Sequence, residues 1–261
     1  MAARAEQLPA PGGAYWYEAD RTSQVSTFGT SGKLGRGPAY TVELSQVTRS
    51  WLGSSRSRAV TNRNKPRFLT EQDRANWRAA GSPQLMIGAP PGGKPPPDPS
   101  VNDVGVPPRF LVGYQELTMN QLKRLPADPS RLAALLRVGL PAGSGPQIEA
   151  LLFASAADLL NLPVSPQVRT AAFKVMAGVN GARLLGTITD PAGRKGTGVA
   201  FPESPHAGRV FIVDQTTATL LAMEYVANDP SQLGARVPPG TAILTETWLA
   251  TGWTDKLGQQ P

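Results

Sequence analysis

The chain has 261 residues, 40% hydrophobic and only 17% charged, enough for one large domain or two small ones with a well-buried core. With no cysteine and one histidine it excludes a disulfide framework, a thiolate nucleophile and a cysteine-ligated metal. The formal charge of +7, with a pI near 10.0, favours anionic partners such as nucleic acid, acidic lipid or cell-wall polymers without choosing among them.

No run of about 18 apolar residues is present to span a membrane as a helix. Residues 1–12 lack the apolar middle of a signal peptide and read as a linker, and residues 259–261 read as a tail. Between them, residues 13–258 read as one domain. Its first strand is "AYWYEADRTSQVSTFG", where Tyr15 and Tyr17 share one face and Trp16 takes the other. A glycine-containing turn, "TSGKLGRGP", separates it from "AYTVELSQVTRSWLG", and a third strand follows in "SRAVTNRNKPRFL". "GKLGRG" lacks the spacing of a phosphate-binding loop.

Thr70 and Asp73 form a capping-box start for a short helix, with Gly81 as its stop. Residues 81–108 contain nine prolines and read as a long surface loop within the domain. Four helices are expected next: one in "LTMNQLKRL", one capped by Asp128 and Pro129, one in "PQIEALLFASAADLL", and one capped by Ser165 and Pro166. The final third is an antiparallel meander. It comprises a hairpin turning at Asp190, Pro191 and Gly193, a second turning at residues 215–217, and a last strand, "TAILTETWLATGW". Gly186, Gly196 and Gly198 within these strands suggest strong bending. The expected fold class is α+β: a bent antiparallel sheet, half-barrel-like, with several helices packed on its concave face.

In order, "GAYWYEADRTS", "PRFLTEQDRANWRAAGSP", "RLPADPSRLAALLR", "GARLLGTITDPAGRKGTGVAF", "VFIVDQTTATLLAMEYV" and "WLATGWTDKLG" resemble an uncharacterised actinobacterial family over nearly all of residues 13–258. Its members are typically an N-terminal membrane anchor followed by an extracytoplasmic domain, often encoded beside extracytoplasmic-function sigma factors. The resemblance implies that the anchor lies outside this chain and that Met1 begins a soluble fragment. By fold analogy the domain also resembles the half-barrel of LolA-type lipoprotein carriers and RseB-type regulators. The family has no established reaction, so the resemblance supplies no catalytic residue.

Tyr15, Tyr17, Trp51, Tyr225 and Trp248 are the candidate ligand-binding residues, since a half-barrel can hold a partly open apolar cavity. Ordinary sheet–helix core is the competing reading for such aromatics. Arg49, Arg56, Arg58, Arg63, Lys65 and Arg67 form a basic stretch with no acid between Glu43 and Glu71. It is a candidate anion-binding surface, better suited to lipid headgroups than to nucleic acid because no nucleic-acid module accompanies it. Glu43, Glu224 and Glu246 are the acids a fold can gather for acid–base work. His206 and Ser204 lack a third triad member. The residues call for no cofactor and no metal. The expectation is a non-catalytic extracytoplasmic sensor or binding domain of a membrane-anchored regulatory protein linked to a sigma-factor system. A carrier of a lipid or other apolar small molecule is the alternative, and a carboxylate-based enzyme the third. Its partners would be an apolar molecule, a regulatory protein, and the membrane through the anchor.

Overall fold

The computed structural model describes residues 12–29, 37–89, 92–139, 145–202, 204–214 and 219–261. Two strand sets make the main sheet. The first holds β1 (Tyr15–Phe28), β2 (Tyr40–Gly53), β3 (Ser57–Arg63), the two-residue β4 (Arg67–Phe68) and β5 (Ser100–Val104). The second is β8 (Arg183–Thr189), β9 (Lys195–Pro202), β10 (Ala207–Val213), β11 (Leu220–Ala227) and β12 (Thr241–Thr254). Every pairing is antiparallel, and the order is β5-β3-β2-β1-β12-β11-β10-β9-β8, with β4 on β2. The first and last long strands therefore lie side by side at the centre. A separate hairpin, β6 (Arg109–Val112) and β7 (Gln115–Thr118), links the two sets to the helices.

Helices α2 (Met119–Leu122), α3 (Pro129–Leu136), α4 (Pro146–Asp158) and α5 (Pro166–Gly178) cover one face of the bent sheet. Their starts follow from local chemistry. Asp128 and Ser165 accept from the amides of Arg131 and Val168, and proline occupies the first turn of α3, α4 and α5, where its missing N–H costs nothing. Trp16, Phe201, Phe211, Val213, Leu220 and Trp248 meet these helices in the main core. Helix α1 (Glu71–Ala79) covers the same face at the far end of β1 and β2, over Phe28, Tyr40, Val42 and Leu44. Asp73 both closes the capping box with Thr70 and accepts from the Thr41 amide at 2.7 Å, which ties the helix to β2.

Tyr17, Ala19 and Trp51 lie on the opposite face, beneath the C-terminal segment. Trp51 Nε1 donates to the Gln259 carbonyl at 2.6 Å. Gly252 leaves room for Pro261: a Cβ there would come within 2.9 Å of the proline ring. The opening aromatic run is thus a strand covered on both faces, with Trp16 under helices and Tyr17 under the C-terminal segment.

Curvature comes from bulges. The register slips between Leu184 and Gly186, opposite Leu221, opposite Leu249 and beside Val226. At two of these irregularities Arg194 supplies donors: its Nη2 reaches the carbonyls of Leu221 (3.1 Å) and Trp248 (2.7 Å). The same guanidinium is held by Asp190, whose side chain is fully buried, at 2.6 Å. Asp190 Oδ1 also accepts from the Ala192 and Arg194 amides, so the turn at Asp190 to Gly193 is built around this carboxylate.

Two sequence expectations are corrected. The stretch 81–108 is not loop throughout, because Ser100–Val104 adds to β3 as an edge strand despite the surrounding prolines. The expected helix in 117–125 is only α2, since Phe110, Val112 and Leu117 alternate inward as a hairpin under α3. The turns in "TSGKLGRGP" and at 215–217 fall largely outside the described residues.

Replacing Arg194 by methionine leaves Asp190 and two strand carbonyls without their donor. We expect a loss of about 3 kcal/mol in urea unfolding, the lower end for a broken buried pair because Arg194 is partly open to solvent. A loss below about 1 kcal/mol would mean that water replaces the guanidinium.

Candidate functional site

The helix-covered face changes character along β1. Trp16 is apolar, but Glu18, Asp20, Thr22 and Gln24 follow at alternate positions on the same face. Asp20 and Thr22 stand opposite Trp248 and Glu246 of β12. Asp158 ends α4 on this side. Four carboxyl groups, Glu18, Asp20, Asp158 and Glu246, thus lie close enough on this face to act on one another's charge, in a stretch between the apolar core and α1 that forms an acidic recess.

Trp248 Nε1 donates to Glu18 Oε1 at 2.6 Å. Burial pushes Glu18 up to about 7, against the Trp248 hydrogen bond, and Asp20 and Asp158 add to the rise. Glu246 also reaches about 7, through burial and then the neighbouring charges of Asp20, Glu18 and Asp158. Burial raises Asp20, opposed by its hydrogen bond from Thr22. Asp158 is raised to about 6 by the protein around it, with Arg209 pulling the other way. Asp158 itself keeps an exposed surface at the end of α4, so the group opens to solvent on that side. Among the described residues no group of three or more His, Cys, Asp or Glu is placed to hold a metal ion.

A second concavity lies between α5 and the β8–β9 edge. It encloses about 400 Å³, lined by Phe173, Met176, Leu184, Val199 and Val213, with Lys174 its one charged lining residue. That volume falls within the roughly 300–1,000 Å³ of small-molecule sites, and the lining is the apolar kind such sites use.

The expected ligand residues do not converge. Tyr15, Tyr17 and Trp51 sit on the opposite face, Tyr17 and Trp51 tilted together with ring centres 5.3 Å apart. Trp248 faces the helices and the Glu18 carboxyl. Tyr225 lines a separate groove of about 710 Å³ with Gln24, Leu244, Met86 and Leu233. Of the basic residues, Arg58 is paired with Asp103, Arg67 with Glu43, and Arg49 donates to Asn62. Arg56 donates to the Tyr15 hydroxyl, and Arg63 to the carbonyls of Pro96 and Pro97. Lys65 lies beside Arg63 on the wall of a groove below the proline-rich stretch. Most of the expected anion surface is therefore occupied by internal partners.

The three acids singled out from sequence are not gathered either. Glu43 is ion-paired, Glu224 faces away from the helices, and only Glu246 enters the recess. Ser204 Oγ accepts the amides of His206 and Ala207 as a loop cap, and Asp229 lies 3.7 Å from His206 Nδ1, an acid the sequence reading did not place there, while Ser204 engages only the backbone of His206. Reasoning from sequence missed Glu18 and Asp20, although their alternation with Trp16 in "YWYEAD" placed two acids on an aromatic face. It also missed the cleft, signalled by paired leucines opening the strand at Arg183. No protein-family model matches the chain, and no curated protein sequence matches it.

The raised carboxyls give stability a definite pH dependence. Between an unfolded pKa of about 4.3 and a folded value near 7, the native state binds more protons than the unfolded one, so stability falls as pH rises. A loss of about 2 kcal/mol between pH 5 and pH 8 is expected in urea unfolding, with Glu246→Gln flattening the slope. Stability that rises over this interval would mean that the carboxylates are ionised and well paired.

Proposed function

We propose that this chain is a non-catalytic extracytoplasmic sensor or binding domain of a membrane-anchored regulatory protein. Its link to a sigma-factor system rests on the ordered sequence resemblance. The observation that carries the binding reading is the 400 Å³ apolar cleft between α5 and β8–β9. Such a cleft accepts an alkyl chain, and Lys174 is the one lining residue that can meet an anionic head. With a methylene taken at roughly one water volume, the space suits a chain of about a dozen carbons.

This reading differs from a carrier in how long ligand is kept. A carrier holds stoichiometric lipid through purification, whereas a sensor exchanges it with its surroundings. The acidic recess favours an enzyme as a second reading, since Glu18 and Glu246 stay partly protonated near pH 7, as a general acid requires. Hydrolysis of a panel of aryl glycosides and esters, lost in Glu246→Gln, would establish that reading.

The cleft is tested by displacement of a fluorescent twelve-carbon fatty acid, together with native mass spectrometry before and after organic extraction. Saturable uptake of one probe per chain is expected. Val199→Trp fills the cleft and should weaken uptake more than about tenfold, by occupying the space proposed for the alkyl chain. Equal uptake by the variant, with its circular dichroism unchanged, would overturn the site.

A further inference from the structure

We propose that the β8 edge beside this cleft, which carries Leu184, Leu185 and Arg183, docks with Lys174 of α5 on an anionic lipid bilayer. The inference builds on the cleft reading and names where its ligand is exchanged. Strand β8 is a sheet edge, where unpaired N–H and C=O groups ordinarily invite another strand. Here the register slips between Leu184 and Gly186, which breaks the regular template. Leu184 and the bulged Leu185 lie on opposite faces of this edge strand. Leu184 stands across from Val199 and lines the cleft, while Leu185 packs towards the Gly198 side. Leu184 is 73% exposed and Leu185 45% exposed.

Leu184 at the cleft mouth and Leu185 on the other face of the same strand together give the sheet edge an exposed apolar wedge for an acyl layer. Leu184 is both its tip and the cleft wall, so a chain leaving the bilayer along it enters the cleft without crossing water. Charge favours an anionic surface. Between Asp158 and Asp190 the chain carries Arg169, Lys174 and Arg183 and no acidic residue. Lys174 and Arg183 are exposed beside the leucines. Basic side chains near inserted apolar groups add attraction to acidic headgroups that salt screens.

The test is flotation of the protein with vesicles of phosphatidylglycerol and phosphatidylcholine, and with phosphatidylcholine alone. Anionic vesicles are expected to bind at least about tenfold more protein than neutral ones at low salt, with the difference shrinking at higher salt. Lys174→Gln with Arg183→Gln should remove most of that preference. Leu184→Ser with Leu185→Ser should abolish flotation with the thermal unfolding midpoint unchanged, since both side chains are exposed. No flotation of the wild type, or flotation that survives the leucine changes, overturns the proposal. So does a dimer in sedimentation that the leucine changes dissociate, because the occupant is then a second copy. Uptake of the soluble fatty-acid probe without vesicles separates the two ideas: uptake without flotation leaves the cleft and removes the docking, and flotation without uptake does the reverse.

Discussion

Arg194 holds the bend of the sheet in place. A bulge curves a strand by breaking the ladder, and the groups freed must find partners when they lie inside the fold. One side chain from the β8–β9 turn answers two such places, on β11 and β12, and is itself fixed by a buried carboxylate. Without curvature a sheet this wide lies too flat to wrap four helices. The bulge at Leu249 also matters for the face. It returns Trp248 and Glu246 to the helix side opposite Asp20 and Thr22, so the geometry of the acidic recess depends on the same irregularity that Arg194 stabilises.

The concave face divides into three zones. Aromatic and aliphatic side chains fill the end under α2 to α5, a smaller cluster fills the end under α1, and carboxyls occupy the stretch between them. A continuous apolar trough would suit a fully enclosed lipid. The acidic interruption does not, and it directs attention to the cleft at the sheet edge, where apolar lining and a cation occur together. On the binding proposal for the edge cleft, the central recess is left for a different task, for which the raised carboxyls of Glu18 and Glu246 are the notable property.

Much of the architecture was legible because it is local. Caps at Thr70, Asp128 and Ser165 and the turn at Asp190 announced their elements through side chains that bond to nearby amides. Alternation along "AYWYEAD" assigned Tyr15 and Tyr17 to one face and Trp16 to the other. The site was harder to see because its parts come together only through distant pairing. Nothing near Glu18 indicates that β12 will be its neighbour, and nothing near Glu246 indicates the bulge that sets its direction. The basic stretch misled for the same reason: Arg58 and Arg67 meet Asp103 and Glu43, acids that lie far from them in the chain. Proline density masked β5, which tolerates such surroundings because it lies on an edge.

The central pairing of β1 with β12 has a consequence for how the molecule is made. These strands lie more than 200 residues apart in the chain, and their contact closes the largest loop the fold contains. Loop closure costs grow slowly with length, but contacts between distant segments still delay folding. During synthesis each half of the sheet must wait with an open edge until the final strand emerges. The native sheet is therefore completed only after β12 has been made. Until β12 pairs with β1, each half carries an unpaired edge, so a single late strand commits the whole sheet to its native order.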